Sequence, residues 1–253
     1  MDTRDIVGRS IRYYQKNGLK KTLKRMVTKP EPPKQDLLGF WNFIVDREEI
    51  PFSREDYEKH KGGQIILNWI VPEFEKGSGG HTTIFRFISA LERRGIHNRI
   101  YVYRPARMTD ESLHELLRNH FQLLDGRVES CCDVTKAEFA HATVATSWIT
   151  AYFVRNFQNT ISKFYFIQDF EPYFYAHGSE YSFAENTYKF GFRGITAGDW
   201  LRDIAREQYG MKAMSFGFSY DRKIYHEMEK PDDRPRVFFY ARPVTERRDF
   251  EIG

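Results

Sequence analysis

The chain has 253 residues, of which 41% are apolar and 16% aromatic, and its formal net charge is +4 at pH 7. This length predicts one large domain or two smaller ones, with enough residues for a sizeable core. The mild charge argues against a nucleic-acid partner, because proteins that bind nucleic acids concentrate far more positive charge on one face.

Three further observations narrow the class of protein. The only cysteines, Cys131 and Cys132, are adjacent, which excludes a disulfide scaffold and favours a reducing, cytoplasmic setting. No stretch approaches the roughly 20 apolar residues that a membrane span needs. No signal-peptide pattern opens the sequence, so we expect a protein that is neither secreted by that route nor integral to the bilayer.

Residues 1–29 form a basic segment whose apolar residues recur at roughly helical intervals. The segment is either a solvated helix or disordered arm, or a helix that lies on an anionic membrane surface, and both alternatives stay open. The second alternative would make the protein peripheral on the inner face of the cell membrane. Prolines follow at Pro30, Pro32 and Pro33, so residues 1–35 are predicted to be a basic amphipathic helix with a Pro-rich linker.

From residue 64 onward, apolar runs and amphipathic stretches alternate. The predicted strands cover 64–71, 98–103, 142–146, 164–168, 194–197 and 214–218, and the predicted helices cover 81–94, 110–123, 149–158, 181–190 and 200–209. This alternation predicts an α/β fold with a Rossmann-like parallel sheet and helices on both faces, over residues 36–230. Ligands of such sheets bind outside the carboxyl ends of the strands.

Residues 231–253 contain one more apolar run and one more amphipathic stretch. Val237 to Ala241 is predicted to be a strand, and Thr245 to Ile252 begins a predicted helix. A single strand cannot bury both of its faces. This unit therefore either joins the first sheet or opens a second domain.

A glycine-rich loop joins the first predicted strand to the first predicted helix of the sheet. It contains Gly77, Gly79 and Gly80, followed by His81. Glycines let a backbone approach a ligand closely, and a helix N-terminus offers free N–H groups to an anion such as phosphate. The spacing matches neither the dinucleotide fingerprint nor the P-loop. A plain tight turn is the alternative, and His81 is either a ligand contact or an exposed first-turn residue.

Two carboxylates follow the strand at 164–168. Asp169 and Glu171 could hold sugar hydroxyls or act as a base, and the alternative is a solvated strand end. Aromatic residues surround them, among which Tyr173 could serve as a sugar platform and His177 lies in an adjacent loop. Packing between helices accounts for most of the other rings.

A third post-strand segment holds Thr146, Ser147 and Trp148. Their hydroxyls and indole could line an acceptor groove, or they could form a strand-to-helix turn. The histidines and cysteines of the chain lack metal-ligand spacing, so no metal site is expected.

Several segments, taken in order, resemble a known family. They are Trp69 to Arg86 with its Gly-Ser-Gly-Gly-His run, Tyr165 to Phe174, Thr196 to Leu201, Gly217 to Tyr225, and Phe239 to Val244. From about residue 62 to its end the chain resembles bacterial WsaF-type rhamnosyltransferases, which are retaining GT-B enzymes of glycosyltransferase family four.

The resemblance implies transfer of L-rhamnose from dTDP-L-rhamnose to a growing surface glycan, with the acceptor on the N-terminal domain and the nucleotide-sugar on the C-terminal domain. Carried over by position, the glycine loop residues with His81 would contact the donor diphosphate, and Arg242 would pair with its phosphates without a metal. Asp169 and Glu171 would face the acceptor or the reacting sugar.

The family's further nucleotide-binding residues have no counterpart among the 253 positions, so we expect this chain alone not to turn over a sugar nucleotide. Two alternatives stay open. One is another GT-B enzyme, such as a glucosyl- or mannosyltransferase, or a nucleotide-sugar epimerase. The other is a non-catalytic carbohydrate- or membrane-binding module.

Overall fold

The computed structural model describes residues 41–46, 48–103, 108–121, 124–131 and 137–217, and beyond these 219, 220, 222, 224–227, 234–239, 250 and 252. The chain divides into two units, residues 1–45 and 46–253. In the first unit the described part is the short helix α1 (Asn42–Val45). The predicted basic helix at 1–29, its linker, Cys132 and Arg242 lie outside the described residues.

The second unit contains seven strands and six further helices among its described residues. The strands are β1 (Ile66–Pro72), β2 (His97–Tyr103), β3 (Arg127–Cys131), β4 (Ala140–Ala145), β5 (Thr160–Ile167), β6 (Arg193–Ala197) and β7 (Ala213–Phe216). The helices are α2 (Arg54–His60), α3 (Gly79–Glu92), α4 (Asp110–His120), α5 (Trp148–Asn156), α6 (Ser179–Asn186) and α7 (Asp199–Glu207). Short 3-10 turns lie at Glu171–Phe174 and Thr187–Lys189.

The strands form one parallel sheet in the order β3-β2-β1-β4-β5-β6-β7. This confirms the predicted Rossmann-like α/β fold. The strand order reverses between β1 and β4. The connections from β1 therefore run one way across the sheet and those from β4 run the other way, which opens a crevice at the carboxyl end between these two strands.

Both faces of the sheet are buried by helices, as a parallel sheet requires. On one face, Trp69 and Val71 of β1 pack with buried residues of α3 and α4. On the other face, Ile70 packs in a second cluster with residues of α5 and α7. The near-continuous apolar run of β1 follows from this, because its alternate residues are buried on opposite faces.

The helix after the glycine loop begins earlier than the sequence predicts. It was expected at residue 81, whereas α3 begins at Gly79, with Ser78 as its N-cap residue. Gly79 and Gly80 therefore belong to the first turn of the helix, whereas Gly77 lies in the loop before it. β3 was not predicted, because its sequence Arg-Val-Glu-Ser-Cys carries two charges and no apolar run.

The unit predicted at residues 231–253 and the absence of a membrane span are the remaining predictions. Residues 234–239, where a strand was expected to begin, have no regular secondary structure, and of the rest of that predicted unit residues 250 and 252 alone are described, neither of them helical. Among the described helices, none is both long enough and apolar enough to cross a bilayer.

The entry into β3 gives a test of the sheet packing. A Cβ atom at Gly126 would lie 2.6 Å from the backbone oxygen of Asn98, which cannot move without disturbing β2. We therefore expect Gly126→Ala to lower the free energy of unfolding by roughly 1–3 kcal/mol. At Gly62 an added Cβ meets nothing within 4 Å. Chemical denaturation should thus find Gly62→Ala close to the parent chain, and equal losses in both variants would contradict this packing.

Candidate functional site

Three loops meet at the carboxyl edge of the sheet, beside the crevice where the strand order reverses. They follow β1, β4 and β5, which are consecutive neighbours in the sheet. Residues 73–78, 146–147 and 168–170 form them, and each contains residues that the sequence singles out. The fold therefore brings the three segments that the sequence singles out to one edge of the sheet, as expected for ligand sites of parallel sheets.

The glycine loop presents an uncapped helix N-terminus. Gly77 has a φ of 84°, in the left-handed region that favours glycine, and it turns the chain into α3. The N-cap residue Ser78 makes no side-chain hydrogen bond to the N–H groups of the first helical turn. Space beside Gly79 is open, since an added Cβ there meets no atom within 4 Å. An anion can therefore approach these N–H groups along the helix axis.

His81 braces this loop through both of its ring nitrogens. Its Nε2 lies 3.2 Å from the carbonyl oxygen of Pro72, and its Nδ1 lies 2.7 Å from the Ser78 hydroxyl. Because a carbonyl oxygen only accepts, Nε2 carries the hydrogen and Nδ1 accepts from the serine. Burial lowers the pKa of His81 to about 4, so the ring is neutral at physiological pH. The backbone N–H groups, rather than the ring, are then left to face an anion.

The loop after β4 is held to β1 and to its own helix. The Thr146 hydroxyl donates to the carbonyl oxygen of Ile70 over 2.8 Å, which ties the two strands at the crevice. Ser147 caps α5 in a capping box with Thr150, in which each side chain accepts from the other residue's backbone. Thr146 is buried and Ser147 is half-buried. Both hydroxyls therefore form hydrogen bonds within the protein, and Ser147 is the more accessible of the two.

Trp148 is buried rather than exposed in a groove. Its indole N–H donates to the Tyr175 hydroxyl over 2.9 Å, and its ring makes edge-to-face contacts with Tyr152 and Tyr175. The indole thereby supports the aromatic segment that follows β5. Its backbone N–H, in the first turn of α5, donates to a buried carboxyl group.

That partner is the carboxyl group of Glu171, which is 6% exposed. Its Oε2 accepts from the Trp148 N–H over 2.5 Å. Burial raises the pKa of Glu171 to about 8, against the opposing effects of the Trp148 N–H and of Tyr165, and the Asp169 carboxylate raises it further. The group is therefore largely protonated at neutral pH. It joins the loop after β5 to the helix after β4.

The Tyr165 hydroxyl completes this buried cluster. It is fully buried on β5 beside the Glu171 carboxyl, where a hydroxyl can donate to a carboxylate or accept from a protonated carboxyl. Its contact lowers the pKa of Glu171, and the larger effect of burial keeps that pKa raised.

The other predicted residues of this segment are more accessible. Asp169 is half-buried, and its Oδ1 accepts from the Phe170 N–H over 2.9 Å. Tyr173 is 53% exposed on the 3-10 turn that follows. His177 is exposed and stacks on Tyr181, with ring centroids 4.1 Å apart. Of the two predicted carboxylates, Asp169 is the one that solvent can reach.

Three residues at the same edge of the sheet were not singled out as site residues. Gln168 lies against Gly80, because a Cβ added there would come 3.4 Å from its Nε2 atom. Phe174 and Trp200 are 45% and 58% exposed, after β5 and β6 respectively. All three residues follow a predicted strand, and this position in the sequence could have identified them as candidate site residues. No group of metal-ligating side chains occurs among the described residues.

Comparisons with known proteins match this region. The family model described as WsaF, N-terminal domain, matches residues 66–197, from the first residue of β1 to the last of β6. The chain is also 31% identical, over 238 residues, to the O-antigen biosynthesis protein RfbC of Myxococcus xanthus. That alignment covers 85% of this chain and 18% of the relative, so the chain spans about a fifth of the relative's length.

Glu171 gives a test by pH. Between pH 4.5 and about 8 the folded chain holds a proton that the unfolded chain has released, so stability falls as pH rises through this window. A glutamine at this position keeps an oxygen for the Trp148 N–H and cannot ionise. We expect Glu171→Gln to gain stability relative to the parent as pH rises from 5 to 8, by at most about 1.4 kcal/mol per pH unit.

The measurement is urea denaturation of both chains at several pH values. The difference between the two chains removes the contribution of His81, whose lowered pKa makes stability rise with pH between about 4 and 6.5. A difference that stays constant from pH 5 to 8 would show that Glu171 is ionised in the folded chain.

Proposed function

Because the chain belongs to the WsaF N-terminal domain family, we propose that it forms the acceptor-side domain of a glycosyltransferase in bacterial surface polysaccharide biosynthesis. The name of the Myxococcus relative, an O-antigen biosynthesis protein, supports this role. The donor in this proposal is dTDP-L-rhamnose, and the acceptor is a growing glycan. The reaction moves the sugar's anomeric carbon from the leaving diphosphate to an acceptor hydroxyl, which loses its proton.

The observation that carries the proposal is the uncapped first turn of α3 at the crevice between β1 and β4. The N–H groups of Gly79 and Gly80 and the positive end of the helix dipole suit the diphosphate of a nucleotide-sugar. Gly77 sets the turn, and neutral His81 holds it in place. Stabilisation of the leaving diphosphate by such N–H groups requires no metal.

The residues after β4 and β5 supply the acceptor side. Asp169, half-buried at the strand end, is proposed to bind or deprotonate an acceptor hydroxyl. Tyr173 and His177 offer exposed rings for stacking against a sugar. Ser147 is half-buried at the neighbouring strand end and the buried Trp148 supports Tyr175, so Thr146, Ser147 and Trp148 are proposed to shape this side of the crevice.

Glu171 takes a different role in the proposal from the one first expected. Its carboxyl is buried and bonded to the Trp148 N–H, so it positions the loop that carries Asp169 rather than touching the sugar. The catalytic function expected of the pair is therefore assigned to Asp169 alone.

A second domain completes the active site in this proposal. The resemblance assigns the donor's phosphates to Arg242 and to residues beyond it, and a GT-B enzyme reacts in the cleft between its two domains. The proposal also keeps residues 1–29 as a segment that attaches a cytoplasmic enzyme to an anionic membrane surface.

Gly79 provides a test with an internal control. An added methyl group at this position meets no protein atom within 4 Å, so Gly79→Ala should fold as the parent does. The methyl group would stand in the space that an approaching diphosphate needs. We expect it to weaken binding of thymidine diphosphate by roughly tenfold or more, which corresponds to about 1.4 kcal/mol.

Binding is measured by calorimetry or ligand-observed NMR on the 253-residue chain, with Gly62→Ala as the matched control because it also adds a methyl group in open space. On a chain that includes the proposed second domain, uridine and guanosine diphosphates report the base preference, and tighter binding of either would replace the thymidine donor. Equal affinities in the parent and in Gly79→Ala would remove the diphosphate from this loop.

A further inference from the structure

A cleft of about 540 Å³ runs along the flank of α3, on the sheet face opposite α5 and α7. Its apolar floor includes Phe87, Leu91 and Phe216, and its cationic rim is Arg86, Arg93 and Arg94. We call it the arginine cleft. It shares α3 with the candidate diphosphate site but lies along the helix rather than at its N-terminus.

The floor of the arginine cleft is a rigid group of aromatic rings. The Phe87 ring lies 4.9 Å from that of Phe216 and 5.0 Å from that of Phe166, and the last two stack 5.2 Å apart. Phe166 is fully buried, whereas Phe87 and Phe216 are half-buried. The floor is therefore preformed apolar surface that solvent still reaches.

The rim arginines make hydrogen bonds only to neutral groups among the described residues. Arg86 donates to the carbonyl oxygen of Ser219 over 3.4 Å, Arg93 donates to the Ser89 hydroxyl, and Arg94 donates to the Ala90 carbonyl oxygen.

Other arginines of the same unit behave differently. Arg99, Arg127 and Arg202 each lie within 3.2 Å of a carboxylate oxygen. No such ion pair is formed by the rim arginines within the described part of the chain. Three guanidinium groups beside one apolar floor thus have forked donors available to carboxylates.

The apolar surface continues from the cleft onto β7. In the register of the last two strands Met214 pairs with Ile195 and Phe216 pairs with Ala197, so Met214 and Phe216 share the sheet face of the cleft. Met214 is 65% exposed. The described helices on this face, α3 and α4, cover the other half of the sheet. The surface beside the cleft is therefore uncovered by any described helix.

We propose that the arginine cleft docks an acidic amphipathic helix of a partner protein. From Thr83 to Arg94 the cleft follows α3 for about 16 Å, which matches about three turns of a second helix. Apolar residues at i, i+3, i+4 and i+7 of that helix would contact the floor, and its flanking carboxylates would pair with the rim arginines. A flat bilayer surface does not reach a recessed floor, so a lipid headgroup layer fits less well. This inference does not depend on the proposed transferase function.

The direct test uses a labelled helical peptide of about four turns, with leucines at i, i+3, i+4 and i+7 and glutamates at the flanking positions. A second peptide carries lysines in place of the glutamates. Fluorescence anisotropy with the 253-residue chain should show the acidic peptide binding at least roughly tenfold more tightly than the basic one. Equal binding of both peptides, or no binding of the acidic one, overturns the proposal.

Three variants locate the binding. The double variant Arg86→Glu with Arg94→Glu should weaken the acidic peptide by roughly tenfold or more and reverse the preference toward the basic peptide. Ala90 also lines the cleft, and Ala90→Trp should block it without changing the charge. The matched control, Lys59→Glu with Arg118→Glu at the exposed ends of α2 and α4, changes the net charge by the same four units and should bind as the parent does. Cooperative thermal unfolding checks that each variant folds.

Other occupants give distinct results. If Lys59→Glu with Arg118→Glu weakens binding as much as the double variant Arg86→Glu with Arg94→Glu, or if binding survives Ala90→Trp, the contact is diffuse attraction and the proposal fails. Sedimentation that shows a dimer of the parent chain, lost in the double variant, would assign the cleft to a second copy. Binding to phosphatidylglycerol vesicles that the double variant abolishes, without peptide binding, would assign it to a membrane.

Discussion

The reversal of strand order between β1 and β4 is the constraint on which the rest of the structure depends. Right-handed crossovers place α3 and α4 on one face of the sheet and α5 on the other, so the chain leaves β1 and β4 in opposite directions. The hydrogen bond from the Thr146 hydroxyl to the Ile70 carbonyl oxygen fixes these two strands side by side at that point. The first turns of α3 and α5 then open onto one crevice, and no single loop could provide both.

Two buried titratable groups hold this crevice without carrying charge. Burial lowers the pKa of His81 and raises that of Glu171, because in each case the low-dielectric interior disfavours the ionised form. Each group forms a hydrogen bond with a nearby backbone atom: the histidine donates to the Pro72 carbonyl oxygen, and the glutamate accepts from the Trp148 N–H. With His81 and Glu171 uncharged, the N–H groups of the first turn of α3 supply positive potential to an approaching anion.

The sequence alone predicted the sheet because its strands are apolar runs bounded by turn residues, and it predicted the crevice because ligand sites in such sheets follow the strands. β3 was not predicted because its two charged residues interrupt the apolar pattern. As an edge strand it pairs with β2 alone and needs no continuous apolar run. The burial of Glu171 could not be predicted either, since its partner, the Trp148 N–H, is distant in sequence and meets it only through the fold. The same holds for Trp148, whose indole finds Tyr175 rather than a groove.

One helix thus carries two surfaces of different chemistry. The first turn of α3 lacks side chains at Gly79 and Gly80 and offers backbone N–H groups, whereas its later turns present Phe87 and Leu91 between arginines. The sheet explains why both can exist on one element: the buried face of α3, with Ile84 and Ile88, is already satisfied by β1 and β2. The rest of the helix is available for other contacts. Its N-terminal end can bind an anion, and its flank can bind a polypeptide. Both contacts are made by the same helix. A partner bound along the flank of α3 would therefore contact the element that positions the glycine turn.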